Sequence, residues 1–185
     1  MEAGVRALGV AESYRGQTST LAGAVVRADR AVDGFAFGAC TVGGTDATRT
    51  VASLFHRLDR QDVRYLLTAG IAPAWFNVLD LSELAEAVDR PVVSVTFEAS
   101  EGLEEPIRDA FDGEDAWRRL ATYCAQPDRR PVSVNGETVF ARSVGLDDGE
   151  AADVVRGFTP EGGRPEPLRV ARLAARGVDA FRADA

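Results

Sequence analysis

Short apolar segments patterned like β-strands occupy the opening part of the chain. Residues 5–10, 21–27 and 34–42 are rich in apolar side chains, and the third segment alternates in part between apolar and polar positions. Runs of this length and pattern are typical of buried or half-buried strands. The sequence therefore predicts that three strands begin the fold.

Helical spacing follows and then alternates with further strand-like segments. In residues 46–58, apolar side chains recur at intervals of three and four, which places them on one face of a helix. Helices are also predicted at 78–88, 104–111, 115–125, 148–158 and from Pro167 to about Phe181. Strands are predicted at 65–68 and 91–97, and Asn135-Gly136 indicates a hairpin. Three strands followed by alternating helices and strands predict one α/β domain with a mixed sheet, spanning residues 1–185.

The charge balance points to an unusual solvent environment. The net charge is −8, and all 21 basic residues are arginine. This composition indicates a protein adapted to high salt, although an ordinary acidic protein is the alternative. Acidity normally argues against nucleic-acid partners, but in concentrated salt local arginine patches matter more than the total charge. No membrane-spanning or signal segment is apparent, so we expect a cytoplasmic protein without a membrane partner.

Four local motifs then occur in a specific order along almost the whole chain. They are GVAESY at 9–14, VGGTDAT at 42–48, AGIAPAWFNV at 69–78 and RPEPLRVA at 164–171. Together they resemble an archaeal family, related to endonuclease V, whose members are associated with cleavage of deoxyuridine-containing nucleic acid. The resemblance implies a ribonuclease H-like mixed sheet flanked by helices. It also implies that carboxylates at neighbouring strand ends hold magnesium beside the scissile phosphate.

The chain departs from that family pattern at the positions that would hold the metal. The resemblance implies aspartate where this sequence has Ala11, Gly43 and Ala69. Glu12 adjoins the first of these, but successive strand side chains point to opposite faces of a sheet. We therefore expect a degenerate metal site with weak or no nuclease activity.

Relocated carboxylates are the alternative that would preserve catalysis. Glu12, Asp46 and Asp80 are the candidate catalytic residues, with Glu98 as a further possible ligand. Magnesium is expected as a cofactor only if such side chains converge, and no other metal or cofactor is predicted.

The same motifs supply candidate ligand-binding residues. They are Gly43, Gly44, Thr48, Gly70, Trp75, Phe76, Asn77, Arg164 and Arg169. The two adjacent glycines precede a helix and form either an anion-binding turn or an ordinary tight turn. The aromatic pair and its neighbouring amide either stack on and read a base or pack in the core, with the amide capping the following helix. The two arginines either contact phosphate or belong to a solvated face.

Three functions remain open at this stage. The first is a nucleic-acid-binding relative of endonuclease V, taking single-stranded or deaminated nucleic acid and connected with DNA repair. The second is an active magnesium-dependent endonuclease with relocated ligands. The third is a non-catalytic partner or nucleotide-binding module. Two geometric predictions test the site assignment: Ala11 and Ala69 end adjacent strands, and Arg164 and Arg169 share one cleft with Asn77.

Overall fold

A mixed sheet forms the centre of the computed structural model, which describes residues 1–184. Its seven strands are β1 (Arg6–Arg15), β2 (Thr18–Arg27), β3 (Val32–Thr41), β4 (Val63–Ala69), β5 (Val92–Thr96), β6 (Arg130–Val134) and β7 (Glu137–Val144). Their order across the sheet is β3-β2-β1-β4-β5-β7-β6. The neighbours β1 and β4, and β4 and β5, are parallel, while all other neighbours are antiparallel. The predicted mixed sheet is confirmed.

Seven helical segments connect or follow these strands within residues 1–184. They are α1 (Ala47–Leu58), α2 (Pro73–Phe76), α3 (Leu81–Val88), α4 (Glu104–Ala110), α5 (Gly113–Cys124), α6 (Asp148–Gly157) and α7 (Glu166–Asp184). Among these described residues, no helix combines the length and apolar character needed to cross a membrane. The predicted elements are present with shifted ends; β1, for example, continues to Arg15 rather than ending at Val10.

The sheet is buried on both faces, which explains its apolar strands. Leu8 and Val10 of β1 belong to a core shared with α1 and α3, whereas Ala7 belongs to a second core shared with α6 and α7. Ala11 packs on the same side as Ala7, beneath α7. Alternate residues of one strand therefore serve two cores, as the two-residue period of a strand requires.

The short segment α2 is a single turn of left-handed helix. Ala74, Trp75 and Phe76 have φ values of 50°, 54° and 61°. L-residues rarely adopt this conformation, and glycine is the usual occupant. Strain of this kind persists only where the surrounding structure imposes it, so the contacts of this turn bear directly on the candidate site.

Candidate functional site

Ala11 and Ala69 lie on adjacent central strands, where the pairing of β1 with β4 ends; Ala69 is the last residue of β4, but β1 continues past Ala11 to Arg15. Strands β1 and β4 are in parallel register up to the pair Val10 and Thr68, one residue before them, and the two alanines pack in one small cluster. The predicted adjacency is therefore confirmed. Both side chains are methyl groups, so this pair of positions offers no ligand oxygen to a metal.

Glu12 points to the other face of β1 and holds the left-handed turn. Its Oε2 accepts hydrogen bonds from the Ser19 hydroxyl at 2.7 Å and from the Ala74 backbone N–H at 2.8 Å. The carboxylate thus holds α2 in place against the sheet by hydrogen bonding. It also lines the cleft described below. Glu12 and Ala11 therefore point to opposite faces of β1, as expected for successive residues of a strand.

Gly43 lies against the same turn, so the third position of the implied metal site is also close. Its backbone N–H donates to the Ala74 carbonyl at 2.7 Å. Its φ is 69°, and a Cβ at this position would lie 2.9 Å from Cε3 of Trp75. The indole therefore occupies the space that any side chain at position 43 would need.

Arg119 organises this region, and the sequence carried no signal for it. Its side chain is only 4% exposed, although it lies on a helix whose other charges face solvent. The guanidinium donates to the carbonyls of Phe76, Gly43 and Gly44. It also lies 3.8 Å from the centroid of the Phe111 ring. In the sequence, Arg119 looks like one more solvated charge, because its partners are far away along the chain.

Asp46 and Asn77 form a structural network rather than a ligand-binding surface. Asn77 is fully buried; its Oδ1 accepts from the Ala47 N–H, and its Nδ2 donates to Thr41 and Asp46. Burial opposes ionisation of Asp46, but hydrogen bonds from the Thr41 backbone, Asn77 and the Thr41 hydroxyl outweigh it and lower the pKa of this carboxyl. Asn77 therefore caps α1 and not the following helix, which corrects both the capping and the base-reading predictions.

Asp80 and Thr48 lie away from the strand ends. Asp80 caps α3 by accepting from the backbone N–H groups of Ser82 and Glu83, and its own N–H donates to the Thr48 hydroxyl. Both residues line a second surface depression, beside Trp117. The prediction that Asp80 would supply a relocated metal ligand with Glu12 is not supported by this placement.

The residues at the strand ends do not fit the magnesium that the resemblance implies. Within residues 1–184, no group of three or more His, Cys, Asp or Glu side chains is arranged to hold a metal ion. Two of the implied positions carry methyl groups, and Trp75 fills the third. Mg²⁺ dehydrates reluctantly and needs oxygen ligands in near-octahedral geometry, which this side-chain set does not provide.

A cleft of about 640 Å³ opens at the ends of β1, β4 and β5. Its charged lining residues are Glu12, Glu98, Glu101, Arg129, Arg142, Arg164 and Arg172. Gly70 also lines it, as expected for the residue after β4, and its φ of 80° turns the chain away from the sheet. Concave sites with a few convergent charges are typical of ligand-binding clefts.

The arginines of the cleft differ in how far their guanidinium groups are already engaged. Arg129 and Arg142 donate to backbone carbonyls and lie over aromatic rings. Arg164 stacks on Phe97, with its guanidinium carbon 4.0 Å from the ring centroid. Burial, together with the charge of neighbouring arginines, lowers the pKa of Arg164. This is the only one of the predicted arginines that reaches the cleft.

Arg169 does not line the cleft. It forms a two-pronged ion pair with Glu166 of its own helix, at 2.7 and 2.6 Å, and half of its side chain is exposed. The prediction that Arg164, Arg169 and Asn77 share one cleft is therefore wrong. Arg169 instead belongs to the solvated face that was the alternative, paired with a carboxylate three residues earlier on the same helix.

Trp75 and Phe76 form an aromatic cluster with Phe111. The Trp75 ring centroid lies 5.0 Å from that of Phe111 and 5.9 Å from that of Phe76, and 48% of Trp75 is exposed. The aromatic pair is thus partly packed and partly open to solvent, and stacking on a base stays a prediction.

Comparison with known proteins places these features in a family. The family described as "Endonuclease dU" matches residues 3–179. This chain belongs to the endonuclease dU family. A UPF0215 protein of Pyrobaculum calidifontis is 34% identical over 178 residues, covering 92% of this chain and 95% of the relative. One from Thermococcus kodakarensis is 32% identical, covering 88% of this chain and 82% of the relative.

Solved structures show the same fold at lower sequence identity. A protein of unknown function from Archaeoglobus fulgidus has a TM-score of 0.84 at 24% identity, covering 94% of this chain and 97% of its own. Human endonuclease V has a TM-score of 0.63 at 15% identity, covering 96% and 85%. Endonuclease V of Ciona intestinalis, in complex with an inosine-containing DNA, has a TM-score of 0.63 at 13% identity, covering 95% and 86%. This chain thus has the ribonuclease H-like fold of endonuclease V.

Proposed function

We propose that this chain binds single-stranded or deaminated nucleic acid in the cleft at the ends of β1, β4 and β5, without metal-dependent cleavage there. The observation that carries the proposal is a cleft lined by four arginines beside the paired methyl groups of Ala11 and Ala69. Guanidinium groups suit phosphate oxygens, whereas methyl groups supply nothing to a metal.

Two of the candidate relocated ligands, Glu12 and Asp46, have other tasks. Glu12 holds the backbone of the left-handed turn, and Asp46 accepts three hydrogen bonds from Thr41 and one from Asn77. Recruiting either group to a metal would cost the contacts that keep the site folded. This argument supports a binding protein over a nuclease whose metal is held by Glu12 or Asp46; Glu98 and Glu101, which also line the cleft, are not engaged in this way.

The family supplies the class of ligand. Its name refers to an endonuclease acting at dU, and a structural neighbour of the same fold was solved with an inosine-containing DNA. Both names refer to deaminated nucleobases. A role connected with DNA repair is consistent with such a ligand.

The test is a binding and cleavage experiment on the full chain in buffered potassium chloride. Fluorescently labelled single strands of about 20 nucleotides, with and without one deoxyuridine, are titrated with protein in EDTA or in Mg²⁺. We expect binding of similar affinity in both solutions and no Mg²⁺-dependent product on a denaturing gel. Mg²⁺-dependent cleavage that Glu12→Gln or Asp46→Asn abolishes would overturn the proposal in favour of the relocated-ligand nuclease.

A further inference from the structure

Two arginines of the cleft differ from the others in their contacts with the described residues. Within residues 1–184, neither Arg164 nor Arg172 has a hydrogen-bond acceptor or a carboxylate within ion-pair distance. Every other cleft arginine donates to backbone carbonyls, and Arg169 on the same helix is paired with Glu166. Arg164 and Arg172 are thus the cleft arginines whose guanidinium groups remain free to bind a ligand.

The environment of Arg164 is that of a cation prepared for an anion. Its guanidinium carbon lies over the Phe97 ring, 4.0 Å from the ring centroid, and its N–H groups have no acceptor among the described residues. It is partly buried, and both desolvation and the charges of Arg172 and Arg176 lower its pKa. Glu98 and Glu101 line the same cleft without pairing with these arginines, and a bound anion would relieve the repulsion between the like charges.

We infer that Arg164 and Arg172 form a phosphate subsite that takes a phosphate group of the ligand by charge and hydrogen bonding alone. This inference rests on the proposed function for the identity of the ligand. The subsite itself is defined by the positions of Arg164 and Arg172 in the cleft. Phosphate oxygens accept two parallel N–H bonds from one guanidinium, and the stacked plane of Arg164 presents such an edge. The subsite would position a strand without reading its sequence.

The experiment compares two double variants that remove equal charge. Arg164→Met with Arg172→Met keeps an apolar stem over Phe97 and removes both free guanidinium groups. Arg108→Met with Arg118→Met removes two exposed arginines that pair with carboxylates one helical turn earlier. Thermal melting confirms that each variant is folded before any ligand is added.

The first readout is the salt dependence of binding a single-stranded oligonucleotide in EDTA. Each phosphate contact contributes about 0.7 to the slope of log K against log salt for a single strand. The cleft double variant should reduce the slope by about 0.7 to 1.4, for one or two phosphates, and the control should leave it unchanged. Equal slopes in the two variants, with wild-type binding intact, would overturn the subsite and leave the proposed function standing.

The second readout does not need an oligonucleotide. Wild-type and variant proteins are melted in potassium phosphate and in potassium chloride of equal ionic strength. Phosphate raises the melting temperature of most proteins because it is excluded from their surface. The further rise caused by phosphate binding should be lost in the cleft double variant and kept in the control. This result without oligonucleotide binding would retain the subsite and reject the proposed function; absence of both effects would reject both.

Discussion

At the scale of single residues, the indole of Trp75 fills the space where a side chain at position 43 would have to lie. The left-handed backbone that places it there is unfavourable for an L-residue by about 1–2 kcal/mol. Glu12 on one side and Arg119 on the other hold that backbone through hydrogen bonds. The missing carboxylate at position 43 is thus replaced by a packed aromatic ring, and a single substitution there would not restore it.

We expect Gly43→Ala to lower the free energy of unfolding by about 2–3 kcal/mol, because it adds left-handed strain and a clash with Trp75. In a Trp75→Ala background the clash is relieved, and the loss should fall to about 1–2 kcal/mol. Urea unfolding of the four proteins in a double-mutant cycle measures the difference. An equal loss in both backgrounds would mean that the ring does not restrict position 43.

At the scale of elements, the loops at the strand ends are tied together by side chains that come from distant segments. Asn77 caps a helix that begins 30 residues earlier, and Arg119 reaches the carbonyl of Gly43, 76 residues earlier. Because each loop carbonyl is already paired, the site has little freedom to rearrange. The geometry of the cleft is therefore a property of several elements held together.

We expect Arg119→Met to lower the free energy of unfolding by about 3 kcal/mol, since it strands several buried carbonyls. The neighbouring Arg118→Met removes an exposed arginine of the same helix and should cost less than about 0.5 kcal/mol. Chemical denaturation of both variants provides the measurement. Similar losses for the two would show that Arg119 acts only as a surface charge.

The elements themselves could be predicted because their evidence is local. Apolar residues such as Val51 and Leu54 recur within a few positions, and the Asn135-Gly136 pair marks its own turn with φ values of 50° and 82°. The adjacency of Ala11 and Ala69 followed from motif order and a resemblance. The roles of Asn77 and Arg119 could not be predicted, because sequence spacing does not show which distant backbone group a polar side chain will meet.

At the scale of the whole molecule, the chain is acidic, but two arginines without a partner among the described residues lie in one cleft. The net charge is −8, and most ion pairs within the described residues lie near the surface. Exposed pairs contribute little to stability, and a large net charge opposes the compact state. Composition predicted the excess of acidic residues. The positions of Arg164 and Arg172 in one cleft could be seen only in the packing of α7 and Phe97.

We expect the melting temperature to rise between about 0.1 M and about 1 M potassium chloride, as salt screens the repulsion between surface carboxylates. A triple variant, Glu86→Gln, Glu105→Gln and Asp109→Asn, changes the net charge from −8 to −5 at exposed positions. Its melting temperature should respond less to salt than that of the wild type. An identical response would assign the effect to general salting-out of apolar surface.

The packing of the last helix on the first strand also bears on how the molecule is made. Pro167 approaches Gly9 so closely that a Cβ at position 9 would lie 2.2 Å from the carbonyl carbon of Pro167, so only glycine fits there. These residues are 158 positions apart, so the contact closes a very long loop. The loss of chain entropy on closing that loop must be offset before the contact gives any net stabilisation. On the ribosome, one face of β1 stays uncovered until α7 emerges. The unfinished chain therefore exposes an apolar strand during much of its synthesis, when a chaperone that binds such strands would protect it from aggregation.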